Sequence, residues 1–114
     1  MRFTSTLKKN HEFKRLYNKG KSLASQCAVI YFRRNGRTEN RLGITVSTKI
    51  GGAVQRNLVR RRLKEIYRLN EENLLPGYDI VIVARVKSRY VGYRELESSV
   101  LYILRKLKLM GDHK

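Results

Sequence analysis

Residues 41–68, RLGITVSTKIGGAVQRNLVRRRLKEIYR, change period half-way along. RLGITVST alternates as a half-buried strand does, with Gly43, Thr45 and Ser47 on one side. Gly51-Gly52 breaks that pattern, and a helix is predicted from about Ala53 to Asn70. At about 100° per residue, Val59, Leu63, Ile66 and Tyr67 form one apolar stripe. Arg56, Asn57, Arg60, Arg61, Lys64 and Arg68 fill the neighbouring arc, while Arg62 lies on the far flank of the stripe. With the strand that follows, this makes a β-α-β unit. The general rule for parallel strands would give it a right-handed crossover.

Outward from this unit the chain punctuates cleanly. Asn10 is expected to cap a short helix, HEFKRLYNK, that ends at Gly20 in a left-handed C-terminal cap. QCAVIYFRR reads as a strand, with Cys27, Val29, Tyr31 and Arg33 on one face and Ala28, Ile30 and Phe32 on the other. Lys21 to Ser25 can add a short strand before it, and RNGRTENR is a polar turn. After the basic helix, LLPGY is a loop and DIVIVARV has the pattern of a buried central strand. SRYVGY is another loop. A last helix, about Tyr93 to Met110, sets Leu96, Val100, Ile103, Leu104 and Leu107 toward the core. The expected order is α-β-β-β-α-β-α: one α+β domain over residues 1–114, with helices packed on a small mixed sheet.

Composition restricts the function. The chain has one cysteine, Cys27, in an apolar run, so a buried structural thiol in a reducing, cytoplasmic setting is expected. Only His11 and His113 could join it, which is too few for a zinc cluster. No apolar run approaches the roughly 20 residues that span a bilayer. MRFTSTLKKNHEF has no continuous apolar segment, so neither membrane attachment nor a secretory signal is expected. The net charge is +17, and residues 1–68 hold most of it, with 18 Lys and Arg against three acids. A charge of this size implies a polyanionic partner, most simply a nucleic acid.

The basic helix sharpens that expectation. A charge run is ordinarily a solvated face, but solvated helices alternate sign to gain i,i+4 pairs. Positions 56, 60, 64 and 68 are all basic, and each stacked pair costs roughly 0.2–0.5 kcal/mol without an anionic ligand. Five guanidiniums in the segment favour bidentate phosphate contacts, and Asn57 adds a neutral hydrogen-bonding group. Phe13 and Tyr17, one helical turn apart beside Lys14 and Arg15, and Tyr31 near Arg33 suit either a core or base stacking on single-stranded nucleic acid. Thr45, Ser47 and Arg85, in phase with Val81 and Val83, make that sheet face less dry than a core face. No nucleophile with an oriented base is present, and KIGGAV lacks the spacing of a phosphate-binding loop. Any chemistry would belong to a partner.

Across nearly the whole chain, LKKNHEFKRLYNKGKS, VIYFR, RLGITVSTKIGGAVQRNLVRRRLKEIYR and GYDIVIVAR resemble the protein subunit of bacterial ribonuclease P. The resemblance implies a fold like the second domain of ribosomal protein S5, with a left-handed β-α-β crossover against the general rule. It implies an accessory subunit that binds a catalytic RNA. Together they remove the 5′ leader of precursor tRNA, with hydrolysis carried by Mg²⁺ held mainly by the RNA. Lys49, Arg56, Asn57, Arg60, Arg61, Arg62, Lys64 and Arg68 are then expected to meet the catalytic RNA. Phe13, Lys14, Tyr17, Tyr31, Arg33, Thr45, Ser47 and Arg85 are expected to meet the leader. No membrane or DNA partner is implied. The chain departs from the family pattern at Thr48, Gly52 and Leu58, where basic residues are common, and Arg62 is expected to restore charge beside Leu58. A ribosomal or other structural RNA-binding protein would share the charge and the α+β pattern. A DNA-binding regulator would need base-reading residues and usually a dimer.

Overall fold

The structure, a computed structural model, describes residues 3–110, so His113 lies outside it. Three helices and five strands run in the order β1 (Thr4–Thr6), α1 (Asn10–Lys19), β2 (Lys21–Ala24), β3 (Ala28–Arg34), β4 (Asn40–Thr45), α2 (Ala53–Asn70), β5 (Tyr78–Ala84) and α3 (Tyr93–Lys106). The sheet order is β1-β4-β5-β3-β2. β4 is parallel to both β1 and β5, and β5-β3-β2 are antiparallel, so the sheet is mixed. β4, α2 and β5 form the β-α-β unit marked by the period change at Gly51-Gly52.

β5 is central and apolar on both faces because helices cover both sides. On one side Ile80, Ile82, Ile30 and Leu42 meet Val59, Leu63, Ile66 and Tyr67 of α2 and Leu96, Val100, Ile103 and Leu104 of α3. All four stripe residues of α2 are at most 1% exposed. Each such side chain contributes roughly 1.5–3 kcal/mol by leaving water. On the other side Leu16 of α1 packs with Leu7 and Val81, flanked by Phe13, Tyr31 and Val83. This smaller cluster is all that α1 has to cover, so the ends of the helix stay open to solvent.

Several local expectations change. β1, the sequence TST, carries no alternating pattern. It is held by pairing with β4, by a 2.9 Å hydrogen bond between Thr4 Oγ1 and the buried Tyr67 hydroxyl, and by Phe3 N donating to Glu71 at 3.0 Å. Lys9, not Asn10, is the N-cap of α1, and the Glu12 carboxylate accepts from its backbone N–H at 3.3 Å. Gly20 is extended (φ −79°), not left-handed. Glycine is needed there because a Cβ would lie 2.7 Å from Leu16 O and 3.0 Å from Phe32 O. Cys27 is buried with Ala28 and Ile30 in the main core, because β3 begins after it and its strand alternation does not apply. α3 stops at Lys106. Lys108 (φ 59°) turns the chain, and Leu109 and Met110 return to the core, with Leu75 N donating to Leu109 O at 2.8 Å.

Candidate nucleic-acid interface

Strand register builds the floor of one surface. Gly43, Val81 and Tyr31 form a row across β4, β5 and β3, and Thr45, Val83 and Val29 form the next row. α1 lies over these rows. Phe13 sits directly on Gly43, where a Cβ would come within 2.6 Å of two ring carbons. Phe13 and Tyr17 have centroids 6.5 Å apart, and Tyr17 meets Tyr31 edge-on at 4.9 Å. The Tyr17 hydroxyl lies 3.2 Å from Thr45 Oγ1. Tyr17 is 39% exposed, and Phe13 and Tyr31 are half-buried. The three rings therefore form one aromatic cluster between α1 and the sheet, and Phe13 lines the mouth of a cleft there, each ring offering part of its surface to solvent.

Lys14 and Arg33 are exposed beside this cleft. Ser47 and Arg85 lie just past the strand ends. Ser47 Oγ accepts from Lys49 N at 3.3 Å, and Arg85 Nη1 donates to Ser25 O at 2.9 Å. The sheet-face alternation places Thr45 in the floor but does not extend to these two residues.

α1 is tied to the sheet by an ion network with no sequence motif. Arg41 on β4 donates through Nε and Nη2 to Asp79 on β5 at 2.8 and 2.7 Å, and through Nη1 to Glu12 on α1 at 2.5 Å. Asn35 donates to the same Asp79 at 3.0 Å. Burial opposes ionisation of Asp79 and Glu12. For Asp79 the hydrogen bonds from Arg41 and Asn35 outweigh it, for Glu12 those from Lys9 N and Arg41 do, and both carboxyls are held below their ordinary range. The Asp79 hydrogen bonds and those of Glu12, against the cost of burial, push the Arg41 guanidinium up. The one signal in the sequence was Glu12 itself, an acid three residues after the cap.

The second surface is α2. Arg60, Arg61, Lys64 and Asn57 are exposed and Arg56 is half-buried. Among the described residues, none of these four cations forms an ion pair. Arg60 Nη1 donates to Asn57 Oδ1 at 3.0 Å, which turns the Asn57 amide N–H₂ outward. Arg68 is different, since it makes a forked contact with Glu65 at 2.9 and 2.7 Å. Arg62 is different again. Its Nη1 donates to Val91 O at 3.1 Å, so this guanidinium straps α2 to the segment before α3. Lys49 is exposed in the short 3-10 turn Thr48–Ile50 that leads into α2, and no side chain caps the α2 N-terminus.

The two surfaces meet. β1 ends at Thr6, opposite Leu42, which leaves the edge of β4 uncovered from Gly43 onward. A cavity of about 220 Å³ opens there, lined by Phe13, Leu42, Gly43 and Ile44 and by Arg60 and Lys64 of α2. An aromatic ring and two cations thus line one cavity, a combination suited to single-stranded nucleic acid.

The ribonuclease P family model matches residues 1–108. The chain belongs to the ribonuclease P protein family. It is 43% identical over 111 residues to the ribonuclease P protein component of Alkaliphilus metalliredigens, covering 97% of this chain and 100% of that one. The corresponding protein of Alkaliphilus oremlandii is 44% identical over 112 residues, covering 98% of each. The structure of the Staphylococcus aureus RNase P protein superposes with a TM-score of 0.87 at 33% identity, over 93% of this chain and 97% of that one. The Thermotoga maritima protein gives 0.82 at 33% identity, over 90% and 96%. As a ribonuclease P protein component, the chain serves a ribonucleoprotein endoribonuclease of tRNA 5′ maturation, and an RNA is its partner. Among the described residues, no helix is long and apolar enough to cross a membrane.

Proposed function

We propose that α2 anchors this subunit to the catalytic RNA of ribonuclease P and that the cleft under α1 receives the 5′ leader of precursor tRNA, in the cytoplasm. The observation that carries the proposal is the cavity at the β4 edge, where Phe13 faces Arg60 and Lys64. Arg56, Arg60, Arg61, Lys64 and Lys49 supply phosphate contacts, and Asn57 a contact to sugar or base. Arg68 contributes by leaving Glu65, and Arg62 chiefly by fixing the helix. In the cleft, Phe13, Tyr17 and Tyr31 stack on leader bases. Lys14, Arg33 and Arg85 draw in the leader phosphates, and Thr45 and Ser47 offer hydroxyls.

Mg²⁺ held by the RNA would supply the hydrolytic chemistry at the scissile phosphate. The chain's own residues do not fit a resident metal site. Glu12 and Asp79, the acids nearest the cleft, are both committed to Arg41, and no three metal-ligating side chains converge among the described residues. The protein's part is to hold substrate and RNA together while its cations lower phosphate repulsion.

Leader cleavage by a bacterial ribonuclease P RNA at low Mg²⁺, with and without this protein, tests the function. Phe13→Ala tests the cleft. It is expected to weaken precursor tRNA binding to the holoenzyme by about 1–3 kcal/mol, the worth of one stacked base, and to spare mature tRNA. Equal loss for both ligands would contradict the cleft.

A further inference from the structure

The segment Val86–Tyr90, between β5 and α3, has no role in the proposed function. It reads VKSRY, with two cations, Lys87 and Arg89, and no acid. Its position relative to α2 is fixed from both directions. Arg89 Nη1 donates to Ile50 O at 3.1 Å, at the turn that launches α2, and Arg62 of α2 donates to Val91 O. The Arg89 guanidinium fills the space beside Gly51, since a Cβ on that glycine would lie 3.0 Å from Nη1. The segment and the basic helix are therefore joined by these two hydrogen bonds, on the opposite face of the sheet from α1.

Tyr90 rides on this unit. The Arg89 guanidinium carbon stands 5.3 Å from the centroid of the Tyr90 ring. Tyr90 is nonetheless 71% exposed. A large aromatic ring gains little stability from such a position. A ring backed by a guanidinium on one side and open on the other is a surface on which a nucleobase stacks, and the cation draws in the adjoining phosphate. The same end of α2 exposes Val54, at 78%, a second apolar group without a role in the core.

We propose that Tyr90 is a stacking platform for an unpaired base of the catalytic RNA, extending the interface of α2 past Lys49 and Ile50. The proposal rests on α2 being the RNA anchor. The catalytic RNA is the occupant because Arg62 and Arg89 join the segment carrying Tyr90 to the anchoring helix and its launching turn.

The test is assembly affinity with a ribonuclease P RNA, without tRNA, across a series of salt concentrations. Tyr90→Ala should weaken assembly about tenfold, as expected for losing one stacked base, with an unchanged salt slope because no charge is removed. Tyr90→Phe should stay within about twofold of the parent, since stacking needs the ring and not the hydroxyl. The thermal midpoint of the free protein should not move in either variant. Unchanged affinity in Tyr90→Ala, or equal loss in both variants, overturns the proposal. So does a loss that appears only with precursor tRNA, which would place the base on the substrate. Arg60→Ala runs in parallel. If it weakens assembly while Tyr90→Ala does not, the platform alone falls. If neither does, the anchoring role of α2 falls with it.

Discussion

Gly43→Ala is a one-carbon test of the cleft. Gly43 is in β4 with ordinary extended backbone, so alanine is conformationally allowed, and losing a glycine from the unfolded chain favours folding by about 0.4–1 kcal/mol. The new Cβ, however, would stand 2.6 Å from Phe13 Cε1 and Cζ. Carbon contacts are comfortable at about 3.5–4.0 Å, so the ring must retreat by about 1 Å from the floor. Phe13 is half-buried at the end of a side chain, so it can swing toward solvent, and the two stability effects should offset to within about 1 kcal/mol. The functional effect should not offset. A ring displaced from the row of Gly43, Val81 and Tyr31 no longer presents its face to the leader. Losing about 1 kcal/mol of a stacking contact is roughly a fivefold loss of precursor tRNA affinity. The assay is equilibrium binding of precursor and mature tRNA to the reconstituted holoenzyme, in a cycle with Phe13→Leu. In the leucine background, where the ring is gone, Gly43→Ala should change precursor affinity by less than about 0.5 kcal/mol. Additive effects of the two substitutions would refute the steric link between Gly43 and the leader.

Two other perturbations separate the remaining parts. Arg60→Ala should weaken assembly with the catalytic RNA and reduce the magnitude of its salt slope by about one charge, whereas Arg68→Ala should do less because Glu65 already engages that guanidinium; salt titrations of both check this. Arg41→Met should destabilise the fold by about 2 kcal/mol at neutral pH, since Glu12 and Asp79 lose their partner in a partly buried site. Both acids are depressed in the folded state, from ordinary values of 4.5 and 3.8, so their contribution is present above about pH 4.5 and is lost as pH falls through the lower folded values. Parent and variant melting curves should therefore converge as pH falls below the ordinary carboxylate range and separate toward neutrality; a constant gap would refute the electrostatic origin.

The β-α-β unit was legible because two periods meet at Gly51-Gly52, and the four residues of the predicted stripe are the four that α2 buries. β5 was legible because a strand covered on both faces needs an unbroken apolar run. β1 was not: Thr4, Ser5 and Thr6 have no pattern, and Tyr67, Glu71, Glu39 and the free edge of β4 hold them as a strand. The cleft rings were legible as residues but not as a surface. Their spacing depends on register, which sets Gly43 under Phe13 across 30 positions of sequence. The basic arc was legible as charge, but its division of labour was not. Whether an arginine faces solvent, Glu65 or the Val91 carbonyl depends on neighbours that helical spacing does not include.

That division explains how a chain with a net charge of +17 folds without losing the charge it needs. Five of its nine acids are placed where they hold architecture. Glu12 and Asp79 join α1 to β4 and β5 through Arg41, Glu71 receives the backbone of the first strand, and Glu39 accepts from Ser5. Glu65 offsets Arg68 at the C-terminal half of α2. Among the described residues, no acid forms an ion pair with Arg56, Arg60, Arg61 or Lys64. Pairing those four with carboxylates would relieve repulsion along the helix by a few tenths of a kcal/mol per pair, but each pair would then have to break before a phosphate could bind. Leaving them unpaired keeps that small cost in the free protein and returns it on assembly. A Leu58→Glu substitution, which sets a carboxylate within one turn of Arg61 and Arg62, would therefore favour the free subunit and oppose its RNA.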